Sequence, residues 1–377
     1  MIKQASLNLL RVSGAFDLMR LAHRRDALIL TYHRFSSGGE GANVWPSWPS
    51  LVDKTPAKVF AEQLEYLTRR YNVVPLSRLA ESMSRGGGPQ ARLAAVTIDD
   101  GYRDAYEVAY PLLRRFGAPA TLFVPPDFID RRAWIWTDKA RFLTRRAVSQ
   151  RLAIKIGGQE ARLDLDDPSS RRDAANRINA TLKRLPEEIK EEAIERLASA
   201  LGVALPQTPP DEFGPIAWAE AREMQANGIE IGSHTLTHPI LTRVSDERLR
   251  SELQESRSRL EEVLRRRIEQ FCYPNGDHDE RVRSEVALAG YRVAVTCVSG
   301  LNKRGDDPLT LRRIHAERDL AHFAQSASGF GELKNRARRW LRIEDRGSRI
   351  EDRIMRSEAI LDPQSSILDP RQRRTQL

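Results

Sequence analysis

LAAVTIDDGYRDAY, residues 93–106, is the stretch from which the fold can be read. Six apolar or β-branched residues end at Ile98. Two carboxylates, Asp99 and Asp100, follow at once, with Gly101 behind them. A short continuous run of this kind fits a strand buried on both faces of a parallel sheet. Adjacent carboxylates at its end are costly to desolvate unless a cation meets them. The rest of the chain has to supply both the neighbouring strands and that cation.

Comparable runs recur on either side. ALILTYH ends at His33, NVVPL near Leu76, ATLFVPP at Pro126 and GIEIGSH at His234. EQFCYP ends at Pro274, YRVAVTC at Cys297 and LTLRRIH at His315. Helical spacing fills the intervals at 56–71, 104–116, 218–227 and 246–266. Strand–helix alternation over this many units predicts an α/β fold, a distorted or incomplete (β/α) barrel of seven or eight strands. The rhythm breaks at about 137–215, which reads as helices with no clear strand. It is expected to be a helical insertion forming a lid or a groove wall. Residues 1–25 read as an amphipathic N-terminal helix and 26–340 as the barrel domain. Residues 341–377, with RIEDR and ILDP each occurring twice, read as a charged disordered tail.

Composition narrows the function. The chain has 377 residues, is 40 % hydrophobic and 30 % charged, and carries a net charge of +9. Such a charge could suit nucleic acid, an anionic membrane or a polyanionic substrate. The arginines are scattered, however, and no zinc-finger, RNA-binding or basic-zipper pattern is present, so no nucleic-acid partner is expected. Two cysteines, Cys272 and Cys297, do not make a disulfide scaffold. No 18-residue apolar run spans a membrane and no signal peptide is recognisable. The expected location is cytoplasmic, or the inner membrane face if the first helix lies on lipid.

In a parallel barrel all strand C-termini open on one face. Asp99 and Asp100, His33, His234 and His238, and Tyr273, Pro274 and Asn275 therefore converge there. Asp-Asp-Gly alone is a common turn, and His-x-x-x-His alone often caps a loop. Together they make a three-ligand metal set with an open position, and a second carboxylate stands beside it to take a proton.

TIDDGYRDAY, GSHTLTHP and FCYPNGDHD, in that order, resemble the polysaccharide deacetylase family, carbohydrate esterase family 4, over about 28–314 apart from much of the insertion. The resemblance implies a metal-dependent hydrolase that removes acetyl groups from sugar polymers. It implies Asp99 as general base and Asp100, His234 and His238 as metal ligands. The expected cofactor is one divalent ion, Zn²⁺ first, with Co²⁺ or Ni²⁺ as alternatives. The third family motif, Arg-x-Pro-Tyr-Gly, is matched by Cys272-Tyr273-Pro274-Asn275-Gly276, so the arginine is missing. A backbone N–H at Asn275 could still serve an oxyanion. The partner of Asp99 is left open; Arg313 is a candidate, with an ordinary surface role as its alternative. The family's later Asp-x-x-Asp-Trp motif is not found. The general acid is expected to be His33, which directly follows an apolar run in a Tyr-His sequence like that of the branch acting on poly-N-acetylglucosamine, with His315 as the alternative. The implied substrate is an N-acetylglucosamine-type saccharide or glycoconjugate. Trp134, Trp136 and Trp218 are either sugar platforms or core. Rival readings are a C–N hydrolase of a small cyclic amide or ureide, and a non-catalytic carbohydrate-binding protein. The oligomeric state is open.

Overall fold

The computed structural model describes residues 7, 10, 12–38, 54–84, 92–317 and 319–330. The tail at 341–377 lies outside the described residues. All eight apolar runs form strands of one sheet: β1 (Leu28–Tyr32), β2 (Asn72–Val73), β3 (Leu93–Ile98), β4 (Ala120–Val124), β5 (Glu230–Ser233), β6 (Gln270–Cys272), β7 (Val293–Val295) and β8 (Ile314–His315). The order is β7-β6-β5-β4-β3-β1-β8, with β2 on β3, and every pairing is parallel. This is an incomplete (β/α) barrel.

Side-chain alternation separates two apolar layers. Leu28, Leu30, Tyr32, Val96, Ile98, Phe271 and Tyr273 face the helices. Ile29, Ala95, Phe123, Cys272 and Val295 face the barrel interior. The same parity carries Asp99 and His33 inward, two residues beyond Thr97 and Thr31. The gap between β7 and β8 is crossed by the chain itself. Leu311 N–H donates to Ala294 O at 2.9 Å, next to β7, and β8 then pairs with β1 through Thr31↔His315. Arg313 lies in this crossing.

The segment at 137–215 differs from the all-helical reading. Helices Trp136–Arg146, Pro168–Leu182 and Glu187–Leu201 are present, but between them runs an antiparallel hairpin, Arg151–Ile156 with Gln159–Asp164. Gly157 and Gly158 turn it at φ 57° and 83°, a conformation in which both central residues need positive φ. Its apolar residues alternate with exposed charged ones, so no continuous apolar run announces it. Ile156 and Leu163 join Leu143, Ile178, Ile194 and Leu197 in a core separate from those of the sheet. The helix Pro168–Leu182 starts with a capping box in which Asp167 accepts from Ser169 and Ser170 N–H.

Within the segment 1–25, read above as one amphipathic helix, a helix spans Ala15–Ala22, and residues 1–6, 8, 9 and 11 lie outside the described residues. Phe16 and Arg20 are buried, while Leu18 and Leu21 face solvent. Among the described residues no helix is long and apolar enough to cross a membrane.

Candidate active site

Strand register decides which side chains meet. β1 and β3 pair Tyr32 with Ile98, so His33 and Asp99 leave the sheet side by side. Nε2 of His33 lies 3.6 Å from Asp99 Oδ2. β4 and β5 pair Val124 with Ser233, and β6 pairs Phe271 with Ser233, which brings His234 beside Cys272. His234 Nδ1 hydrogen-bonds the Cys272 carbonyl at 2.7 Å. As the carbonyl can only accept, Nδ1 carries the proton and Nε2 keeps its lone pair.

That Nε2 lies 3.4 Å from Asp100 Oδ1, and Nε2 of His238 lies 3.3 Å from the same oxygen. The Asp100 oxygen and the two nitrogens are within 4.8 Å of one another. Neutral imidazole nitrogens and a carboxylate oxygen aimed at one point are the donor set of a divalent cation. The carbonyl that orients His234 is the outer-shell contact such ligands need. His238 Nδ1 is buried with no hydrogen-bond partner among the described residues. Burial pushes the Asp100 carboxyl up, but the two imidazoles against it more than offset this and hold it well below the ordinary range. Burial lowers the pKa of His238, which favours the neutral form a metal requires.

The His loop is a strained turn pinned from behind. Thr235 and His238 have φ of 64° and 67°. Glu252, on the helix Asp246–Leu264, accepts from Leu236 N–H and Thr237 N–H at 2.9 Å each and from the Thr237 hydroxyl at 2.5 Å. Glu252 escaped the sequence reading. The signal was there: it falls on the apolar stripe formed by Leu249, Leu253 and Leu260, where an unpartnered carboxylate is out of place.

Asp99 is buried and held by a two-toothed fork. Arg313 Nη1 reaches Oδ1 at 2.7 Å and Nη2 reaches Oδ2 at 2.8 Å. The guanidinium is itself fully buried, and its Nε donates to Thr296 O at 2.8 Å. Burial alone would raise the Asp99 carboxyl; Arg313, and then His33, overcome this and leave it at about 2. Cys272, where the family motif has arginine, sits 3.3 Å from Arg313 Nη2 and 3.5 Å from Asp99 Oδ2. Burial pushes its thiol well up, so it stays neutral.

His315 stacks on His33 with ring centroids 6.2 Å apart. Burial, then His33 and Arg313, lower its pKa. Asn275 lines the cleft with φ 59°. Tyr273 and Pro274 do not join it. Tyr273 points to the helix side, where its hydroxyl donates to Leu309 O at 2.9 Å. Trp134 belongs to the insertion core, and Trp218 donates to Asp130 at 2.6 Å. Trp136, nearly covered, contributes one edge to the cleft wall.

These groups form the floor of a cleft of about 840 Å³ whose far wall is the insertion. A half-open parallel barrel with a carboxylate–imidazole cluster at its strand ends is the arrangement of a hydrolase of the deacetylase type. The polysaccharide deacetylase family profile matches residues 86–294, and the chain belongs to that family. It is thereby a hydrolase acting on non-peptide carbon–nitrogen bonds that removes acetyl groups from sugars. It is 21 % identical over 304 residues to YxkH of Bacillus subtilis (strain 168), a protein named for the same family; the match covers 80 % of this chain and 74 % of that one. In fold it is similar to the Streptococcus pyogenes deacetylase PplD, solved with acetate: TM-score 0.51, 18 % identity, covering 80 % of this chain and 98 % of that one. IcaB from Ammonifex degensii gives a TM-score of 0.49 at 17 % identity, over 80 % and 97 % of the two chains.

Proposed function

We propose that the chain is a metal-dependent deacetylase of N-acetylglucosamine-type saccharides, with Asp100, His234 and His238 holding one divalent ion, Zn²⁺ first and Co²⁺ or Ni²⁺ as alternatives. The observation that carries this reading is the approach of those three donors to one point beside a buried, ionised Asp99. When bound, the ion polarises the acetyl carbonyl and makes the attacking water more acidic.

The chain's own residues supply the rest. Asp99 takes a proton from the attacking water while the oxygen bonds to the acetyl carbon. Arg313 holds that carboxylate in one orientation, which favours an attack geometry set before the substrate arrives. The Asn275 N–H stabilises the oxyanion of the tetrahedral adduct, a contact of roughly 3–4 kcal/mol for one donor. As the C–N bond breaks, His33 gives its proton to the leaving nitrogen, so that acetate and a free amino sugar depart. His33 is preferred over His315 because it directly follows the strand Leu28–Tyr32 and its Nε2 stands 3.6 Å from Asp99 Oδ2, beside the base. Leu18 and Leu21, exposed on the first helix, favour contact with a membrane surface and so a lipid-linked saccharide.

The test is acetate release from N-acetylglucosamine oligomers by chelated protein, with and without added Zn²⁺ or Co²⁺. Release restored by metal is the expected result. Metal bound without release would reject this substrate and turn the search to ureides.

A further inference from the structure

The insertion wall carries charge that the reaction does not use. Three residues of the helix Pro168–Leu182 and its cap, Arg172, Asn176 and Lys183, line the cleft. Their spacing, four and then seven residues, puts them on one helical face over roughly 16 Å at 1.5 Å per residue. The other arginines nearby are occupied. Arg171 donates to the carbonyls of Thr144, Arg145 and Ala147, and Arg177 to that of Arg162. Arg141 pairs with Asp138 at 2.8 Å. Arg172 and Lys183, by contrast, have no carboxylate in ion-pair range among the described residues; Asp173 is the one acid of this wall.

The inner rim has the same bias. Arg34 and Lys54 share a single carboxylate, Asp104, at 2.7 and 3.5 Å. The two acids of the floor are committed, Asp99 to Arg313 and Asp100 to the imidazoles. A neutral sugar settling here would strip water from unpaired cations and offer them only hydroxyls, which is unfavourable. An anionic sugar would bring the missing charge, and an arginine fork matches carboxylate and phosphate alike.

We infer that the saccharide taken by this cleft is anionic, with carboxylate or phosphate groups on the units flanking the acetamido sugar held by Arg172 and Lys183. This rests on the deacetylase reading above. The test uses the full chain and three probes: chitotetraose, a hyaluronan tetrasaccharide with its carboxylates, and chitotetraose bearing a terminal phosphate. Two measurements are made, binding to the metal-free protein by calorimetry and the KM for deacetylation with metal restored.

At least one anionic probe should bind roughly fivefold tighter than chitotetraose, and the gap should close between about 0.05 and 0.5 M salt. Arg172→Gln with Lys183→Gln should bring the anionic-to-neutral ratio close to one. Arg177→Gln, on the far side of the same helix, should leave it unchanged. The carboxylate and phosphate probes show which anion is preferred. Equal binding of all three probes, or a ratio that the double variant does not move, overturns the inference while chitotetraose turnover still supports the deacetylase. Selective, Arg172-dependent binding with no acetate released from any probe would uphold the anionic wall and sink the deacetylase reading.

Discussion

Replacing Arg313 by Met removes the guanidinium from a carboxylate that is 2 % exposed and leaves its charge buried. Among the described residues, Asp99 keeps the Thr31 hydroxyl and the Cys272 thiol, at 3.5 Å each, His33 at 3.6 Å, and His234 within 4.8 Å. The depression of Asp99 from 3.8 to about 2 corresponds to about 2.5 kcal/mol at 1.36 kcal/mol per pH unit. Breaking a buried pair by removing one partner costs about 3–5 kcal/mol, and the Met variant should lose that much at pH 7. The pH dependence should change sign. In the wild type the folded pKa is below the unfolded value, so the contribution of Asp99 is present above about pH 4 and is lost as pH falls towards 2. In Arg313→Met the main compensation for burial is gone and the folded pKa rises above 3.8. Its stability should then increase as pH is lowered from 7 to 5. The assay is urea unfolding in chelator at both pH values, for wild type, Arg313→Met, Asp99→Asn and the double variant. The double variant should regain much of the loss, with a coupling above about 1 kcal/mol. A Met variant within about 1 kcal/mol of wild type, with an unchanged pH slope and additive effects, would refute the buried fork.

Three shorter predictions follow from the same geometry. His33→Ala should lower kcat by roughly 10²–10⁴ with metal affinity retained, whereas His315→Ala should cost less than about tenfold; the reverse order would transfer the acid role to His315. Glu252→Met leaves two loop N–H groups without an acceptor and loosens His238. Zn²⁺ affinity, read by competition with a chromophoric chelator, should fall at least about tenfold, and an unchanged affinity would detach Glu252 from ligand placement. Cys272→Arg puts a second guanidinium against a fully buried one and should lower thermal stability by at least about 3 kcal/mol, partly recovered by adding Arg313→Met; a stable single variant would show that the pocket has room for both.

The barrel was legible because its strands are short apolar runs closed by Gly, Pro or Asp, and because parallel strands all end on one face. That was enough to bring Asp99, Asp100, His234 and His238 together from two separate runs. The hairpin at 151–164 was not legible because RLAIKI and QEARLD are half polar, the pattern of a strand with one exposed face. Tyr273 shows the same alternation at a single residue. It follows Cys272 on the strand, so when Cys272 turns inward Tyr273 must turn out to the helices, and only the left-handed turn at Asn275 brings the chain back to the cleft. The polar wall of the cleft could not be read at all, since Arg172 and Lys183 look like any exposed residues of an amphipathic helix until the insertion is placed against the barrel.

The departure at Cys272 is a relocation of charge and not a loss of it. A carboxylate at the inner end of β3 needs a guanidinium in the barrel interior, and the chain can deliver one from either side of the open seam. An arginine at residue 272 would come from β6. Arg313 comes instead from the segment that crosses between β7 and β8, and its stem fills the space a side chain from β6 would otherwise claim. A small neutral group at 272 is then a requirement: the thiol is 3.3 Å from the guanidinium and adds no charge. Because Arg313 is also anchored to Thr296 O and Thr97 Oγ1, the residue that orients Asp99 also ties the crossing segment to the sheet. Closure of the barrel and orientation of Asp99 are therefore one structural event, and a substitution that opens the seam should disturb the cluster of Asp99, Asp100, His234 and His238 even without touching any of the four.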